Sequence, residues 1–249
     1  MTRISVELVP RDEARLREDA AAVRTLMPGA SLLNVPDLTR FPLRAWDAAA
    51  LLRGEGFADV IPHIRAIDIA PGAPLPGADD PDLREVLVVA GDPPADPAQR
   101  VWPNTATDII GRYRRELPHL AVYAAFDPYR RAPQHELSEI ARKRDAGACG
   151  FFTQPLFDRA MLDICMSWLR DETVFWGLSP VIGPKSRAYW ERANRVVFPG
   201  DFEPTIEANI AFAQDVLRVV RERGDSAYLM PLRVKLENYL PPLQDVLQP

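Results

Sequence analysis

The sequence predicts a (β/α)8, or TIM, barrel, and three observations carry that prediction. Eight short apolar segments recur along the 249 residues, and amphipathic helical patterns separate most of them. The length, at 47% hydrophobic residues, is usual for one such barrel with a single core. No internal repeat or flexible linker divides residues 1–249, so the whole chain reads as a single domain. A doubly wound open sheet is the alternative, but no glycine-rich phosphate loop follows the first strand.

The strand segments are Ile4–Val9, Ser31–Val35, Asp59–Ile64, Glu85–Ala90, Leu120–Ala125, Gly150–Gln154, Val174–Leu178 and Ala227–Pro231. Several are nearly unbroken runs of Val, Ile, Leu and Phe, as parallel strands covered on both faces require. The first helical pattern, Asp12–Met27, puts Leu16, Ala20, Val23 and Met27 on one face and stops at Pro28-Gly29. Leu43–Arg53, Thr105–Leu117, His135–Ala146, Arg159–Arg170, Lys185–Arg195 and Thr205–Arg223 follow the same logic. Between the third and fourth strands the expected helix is replaced by Ala70–Gly77, which carries three prolines and two glycines. Apolar strand surface left bare there would be a partner or homo-oligomer interface. Alternatively, the loop itself covers the gap.

Composition excludes several classes. A net charge of −5 and a pI near 5.3 argue against a nucleic-acid binder. No signal segment or membrane-length apolar run is visible, so a soluble, cytoplasmic protein is expected. Three of the 30 basic residues are lysines (Lys143, Lys185, Lys235), an arginine excess that fits a GC-rich genome. Cys149 and Cys165 form neither a metal pattern nor a disulfide framework and read as buried thiols. The scattered His63, His119 and His135 give no metal site.

In such a barrel the chemistry belongs at the carboxyl ends of the strands. Those ends supply Glu7, Asn34, His63, Asp92, Asp127, Thr153-Gln154 and Ser179-Pro180 in chain order. Glu7 is the most informative, because a carboxylate inside an apolar, β-branched run needs a partner or stays protonated near neutral pH. A carboxyl kept protonated is a general acid. An edge-strand glutamate facing water is the plainer alternative. Glu7, His63, Asp92 and Gln154 are expected to form one polar cluster walled by Phe126, Phe151, Phe152 and Trp176.

Five fragments together resemble the methylenetetrahydrofolate reductase family over nearly the whole chain. Ser5–Pro10 matches S-[FV]-E-[FL]-x-P in the first strand, and Pro62-His63-Ile64-Arg65 stands against P-H-L-T in the third. Ala90-Gly91-Asp92-Pro93-Pro94 stands against R-G-D-x-P, Lys143–Ala148 matches K-x-D-A-G-A, and Thr153–Asp158 matches T-Q-x-x-F-D. The resemblance implies that Glu7 is the general acid that protonates a nitrogen of the imidazolidine ring of methylenetetrahydrofolate. The resulting iminium accepts hydride. It implies Asp92 and Gln154 as folate contacts, and Trp190 as an aromatic stacking on the p-aminobenzoyl group or the nicotinamide, against helix-face packing as the other reading. Asn34, His63, Arg142 and Lys143 become the candidate cofactor contacts.

Where that family holds FAD, this chain departs from it. Ala90 replaces the arginine of R-G-D, Arg65 the threonine of H-L-T, and Thr105 and Phe126 two tyrosines. The expected reaction is therefore hydride transfer between NADH or NADPH and the folate without flavin. FAD held by altered contacts, or supplied by a partner subunit, remains the alternative. A folate-binding methyltransferase barrel and a non-catalytic subunit of a one-carbon complex are the two readings from other classes.

Overall fold

The computed structural model describes residues 2–94, 96 and 98–247. Eight parallel strands close into a barrel in sequence order: β1 (Ile4–Glu7), β2 (Leu32–Val35), β3 (Val60–Arg65), β4 (Glu85–Val89), β5 (Ala121–Phe126), β6 (Gly150–Pro155), β7 (Val174–Leu178) and β8 (Ser226–Leu229). The closing pair is β1–β8, with Ser5 opposite Tyr228 and Val6 opposite Leu229. Around them lie α1 (Glu13–Leu26), α2 (Ala45–Gly54), α3 (Ala106–Glu116), α4 (Pro133–Asp145), α5 (Arg159–Trp168), α6 (Gly183–Ala193), α7 (Ile206–Arg223) and α8 (Leu236–Leu247). The local chemistry sets their ends. Asp12 caps α1 by accepting from the Arg15 amide, Thr105 and Asp108 form a reciprocal capping box on α3, and Gly224 ends α7 at φ 74°.

Strand alternation sorts side chains into two cores. Outward-facing residues such as Ile4, Val6, Leu33, Val86, Val88 and Leu229 pack beneath the helices. Inward-facing Leu32, Ile61, Leu87, Tyr123, Phe152, Phe175, Tyr228 and Met230 fill the lumen. Phe152 stacks on Phe175 at 4.1 Å, while Tyr123 and Tyr228 meet the Phe152 ring edge-on. At the amino-terminal end of the lumen, Arg3 grips both carboxylate oxygens of Glu85 at 2.7 and 2.6 Å, and the Tyr123 hydroxyl donates to the same carboxylate at 3.0 Å. That bidentate pair plugs the face opposite the strand ends.

The structure departs from the sequence expectation at three points. Phe126, Phe151 and Trp176 face the outer core, so of the four expected wall aromatics only Phe152 enters the lumen. Cys165 is buried as expected, but Cys149 is exposed. Helix α8 lies beyond the predicted elements and carries inside it Pro241-Pro242, a pair that ordinarily breaks a helix. Complete burial of Tyr239, Leu240 and Leu243 holds it helical against α1 and α7 nonetheless.

As expected, no outer helix joins β3 to β4; the segment is a 3-10 turn at Ala66–Asp68 followed by loop. Its own Ile69, Leu75 and Leu83 are buried where an outer helix would lie. The Tyr113 hydroxyl donates to the Pro76 carbonyl at 2.7 Å, Arg112 donates to the Ala73 carbonyl at 2.9 Å, and Arg53 pairs with Asp80. The loop covers the strands itself, which removes the bare surface on which a partner interface there was argued. Leu83→Ala should cost about 2–4 kcal/mol by opening a cavity, without changing the oligomeric state. Denaturant unfolding and gel filtration of the variant test both parts.

Candidate active site at the carboxyl ends of the strands

Glu7 is the last residue of β1 and turns inward by the same parity as Ser5. It accepts a hydrogen bond from the Tyr228 hydroxyl of β8. Burial pushes its carboxyl up to about 7, and the Tyr228 bond offsets only part of that rise. Tyr228 is itself held far above the usual phenol range by burial, then by the neighbouring carboxylate, so it stays a donor. A carboxyl with this value is protonated in a large fraction of molecules near neutral pH, as a proton donor requires.

Beside Glu7 runs a buried polar chain. The Ser5 hydroxyl donates to Asn34 Oδ1, and Asn34 Nδ2 lies 3.0 Å from His63 Nε2. Burial lowers the His63 pKa to about 3, so the imidazole is neutral. With Nε2 accepting from the Asn34 amide, the ring proton sits on Nδ1. Asn34 and His63 thus reach the barrel mouth, but on each other, and the His63 ring stands edge-on to Tyr228 at 6.3 Å. They buttress the layer that carries Glu7.

Gln154 is the penultimate residue of β6, within a register shift between Phe152 and Pro155, and Thr153 clamps that bulge by accepting from the Gly177 amide at 2.8 Å. Asp92 lies in the loop after β4 and is exposed. Arg65 fixes that loop by donating to the Asp92 carbonyl at 2.6 Å and to Asp68 at 2.8 Å. Asp127, after β5, is raised mainly by burial, and the nearby Asp92 charge adds to the rise. In the closed strand order β4 and β5 stand opposite β1 and β8, so the loop carrying Asp92 lies on the far side of the barrel from Glu7, and the single cluster expected of Glu7, His63, Asp92 and Gln154 does not form around Asp92.

Three other expected contacts are engaged elsewhere. Trp190 is 7% exposed in a satellite cluster with Phe157, Val181, Val196 and Phe198, its ring 5.5 Å from Phe157. The packing reading therefore describes its contacts. The Arg142 side chain is 60% exposed and pairs with Glu139 on its own helix. Lys143 is drawn inward, its Nζ donating to the Ala125 carbonyl at 2.7 Å, and burial lowers its pKa to about 8.

A cleft of about 650 Å³ opens beside Glu7, between α1 and the segment joining β8 to α8. Arg11, Arg15, Arg233 and Lys235 line it, together with Glu18, Asp19 and Glu237. Arg15 is paired with Asp19 at 2.7 Å, whereas Arg11, Arg233 and Lys235 make no ion pair among the described residues. Sequence reasoning missed Tyr228 and this cationic rim, and took Arg65 only as a departure from a motif. The inward parity of Ser226-Ala227-Tyr228 was the available signal for Tyr228. The rim had none, because its members come from opposite ends of the chain. Among the described residues no group of three or more His, Cys, Asp or Glu is placed to hold a metal ion, and no helix is long and apolar enough to cross a membrane.

No family model matches this chain, and no curated protein matches it in sequence. Solved structures do match in shape. A 2,3-dimethylmalate lyase of the PEP mutase/isocitrate lyase superfamily is similar at TM-score 0.51 and 14% identity, over 90% of this chain and 82% of that one. A truncated 3-deoxy-D-arabino-heptulosonate 7-phosphate synthase from Thermotoga maritima gives 0.53 and 12%, over 100% and 84%. An uncharacterized B. cereus protein gives 0.54 and 8%, over 98% of this chain and 65% of that one. At such identities the likeness shows the barrel fold alone.

The raised Glu7 pKa has a consequence for stability. Between the ordinary glutamate value of 4.5 and about 7, the folded state holds a proton that the unfolded state has released. Glu7 therefore contributes stability that is fully present below 4.5 and is lost as pH rises through about 7. Relative to a Glu7→Gln variant, the native chain should lose up to about 1.4 kcal/mol per pH unit across that window. Urea midpoints of both proteins at pH 5 and pH 7 measure the difference.

Proposed function

We propose that this chain is an oxidoreductase that interconverts 5,10-methylenetetrahydrofolate and 5-methyltetrahydrofolate by hydride transfer with NADH or NADPH. The observation that carries the reading is the Glu7 carboxyl, raised to about 7, held by Tyr228 and beside an open cleft at the carboxyl ends of the strands. In the reducing direction Glu7 gives its proton to a nitrogen of the imidazolidine ring. The carbon–nitrogen bond of the ring opens, and the iminium carbon takes hydride from the dinucleotide to become the methyl group. Glu7 is left as a carboxylate, steadied by the Tyr228 hydroxyl until it is reprotonated. Gln154 offers both a donor and an acceptor to the pterin edge. The unpaired Arg11, Arg233 and Lys235 suit substrates that bring carboxylates or phosphates.

The residues present do not fit FAD. Thr105 is spent on capping α3, Phe126 is buried in the outer core, and Arg65 is committed to Asp68 and the Asp92 carbonyl. Arg142 points to solvent against Glu139, and Lys143 is turned to the Ala125 carbonyl. Freeing Thr105, Arg65, Arg142 or Lys143 would cost an internal hydrogen bond or ion pair before a flavin contact formed, and freeing Phe126 would expose buried core. The purified protein should therefore be colourless, and added FAD should be removed by gel filtration. A yellow preparation that keeps its flavin would overturn this part of the reading.

The central test is oxidation of NADH or NADPH by the purified chain with methylenetetrahydrofolate. Glu7→Gln should lower turnover roughly a hundredfold to ten-thousandfold while leaving substrate binding nearly intact, because an amide has no ionisable proton to give. Turnover within tenfold of the parent would reject Glu7 as the acid.

A further inference from the structure

Among the described residues, the buried strand and strand-end hydroxyls nearly all find partners. Ser5 donates to Asn34, Thr153 bonds the Gln154 carbonyl and the Gly177 amide, and Ser226 accepts from the Arg3 amide. Ser179 does not. It is 6% exposed, and its Oγ has no hydrogen-bond partner among the described residues. It follows β7, where Phe175 and Gly177 are the inward residues, so parity turns Ser179 toward the mouth. A buried hydroxyl left unpaired is destabilising, and a site that keeps one is holding it for something else.

The neighbours indicate what that is. Ser179 stands between Gln154 at the end of β6 and Met230, which follows β8 and the Glu7-bound Tyr228. Beneath it Gly177 leaves no room for a side chain: a Cβ there would lie 2.4 Å from the Thr153 carbonyl oxygen and 2.9 Å from both the Gln154 carbonyl oxygen and Met230 Cε. Two of these neighbours are fixed backbone of β6, and the third, the terminal methyl of Met230, ends a flexible side chain that a flat ring displaces at little cost. A substrate spanning Gln154 and Glu7 crosses Ser179.

We infer that Ser179 is a substrate-binding residue whose hydroxyl hydrogen-bonds a polar ring atom of the folate once the ring displaces Met230. This rests on the folate reading above. The test is Ser179→Ala, with folate affinity and thermal stability measured on the same preparations. The expected result is a folate Kd raised about tenfold by titration with 5-methyltetrahydrofolate, an unchanged Kd for the dinucleotide, and an equal or higher Tm. Ser179→Thr, which keeps a hydroxyl, should recover part of the affinity. An unchanged folate Kd, or a lowered Tm with normal affinity, would make Ser179 structural and overturn the inference while the folate reading stands. Parent protein that binds neither folate nor dinucleotide would overturn both.

Discussion

Glu7 and Tyr228 lie 221 positions apart in sequence and share one hydrogen bond because the parallel ladder closes between β1 and β8. Everything proposed for the site depends on that closure. In an open sheet β1 and β8 would be separate edges, Glu7 would meet water, and its pKa would return to the ordinary carboxylate range. Closure forces alternate residues of all eight strands into a lumen that side chains fill. The carboxyl is thereby desolvated without a cation beside it. The same geometry makes the imidazole of His63 neutral, since a charge there would have no solvent.

The lumen is graded along its axis. Its amino-terminal end is sealed by the Arg3–Glu85–Tyr123 cluster, where full charges are compensated by bidentate geometry. The middle is aromatic and tightly stacked around Phe152. The carboxyl end holds polar groups that are only partly compensated, Glu7 and Ser179 among them. Incomplete compensation at one end only is how a rigid barrel stores interaction energy for a ligand, with the plug and aromatic layer supplying the rigidity.

How much was legible in the sequence follows from which physics is local. Strand and helix periodicity are local, and the eight strands and seven of the eight helices were readable from it. Helix α8 was not, because its stability comes from Tyr239, Leu240 and Leu243 packing on α1 and α7, which outweighs the local effect of Pro241-Pro242. Glu7 was conspicuous as a charge in an apolar run. Its partner Tyr228 was hidden in a run where a tyrosine is unremarkable. The expected aromatic wall of Phe126, Phe151 and Trp176 failed on a one-residue question of parity, since neighbours in a strand face opposite sides. Arg65 looked like an erosion of a binding motif, whereas it ties the loop after β4 to the turn after β3.

The ladder that joins β1 to β8 also imposes an order of assembly. During synthesis β1 emerges early but finds its second neighbour only after some two hundred further residues have been made, a contact of very high sequence separation. Until then the growing sheet has an unpaired edge at each side, and an unpaired parallel edge is a template for pairing with other chains. The half-formed barrel thus passes through a stage in which a glutamate sits on one free edge. A charge on an edge strand discourages such pairing. Glu7, at the end of β1, is a charge that this edge carries until β8 pairs with it.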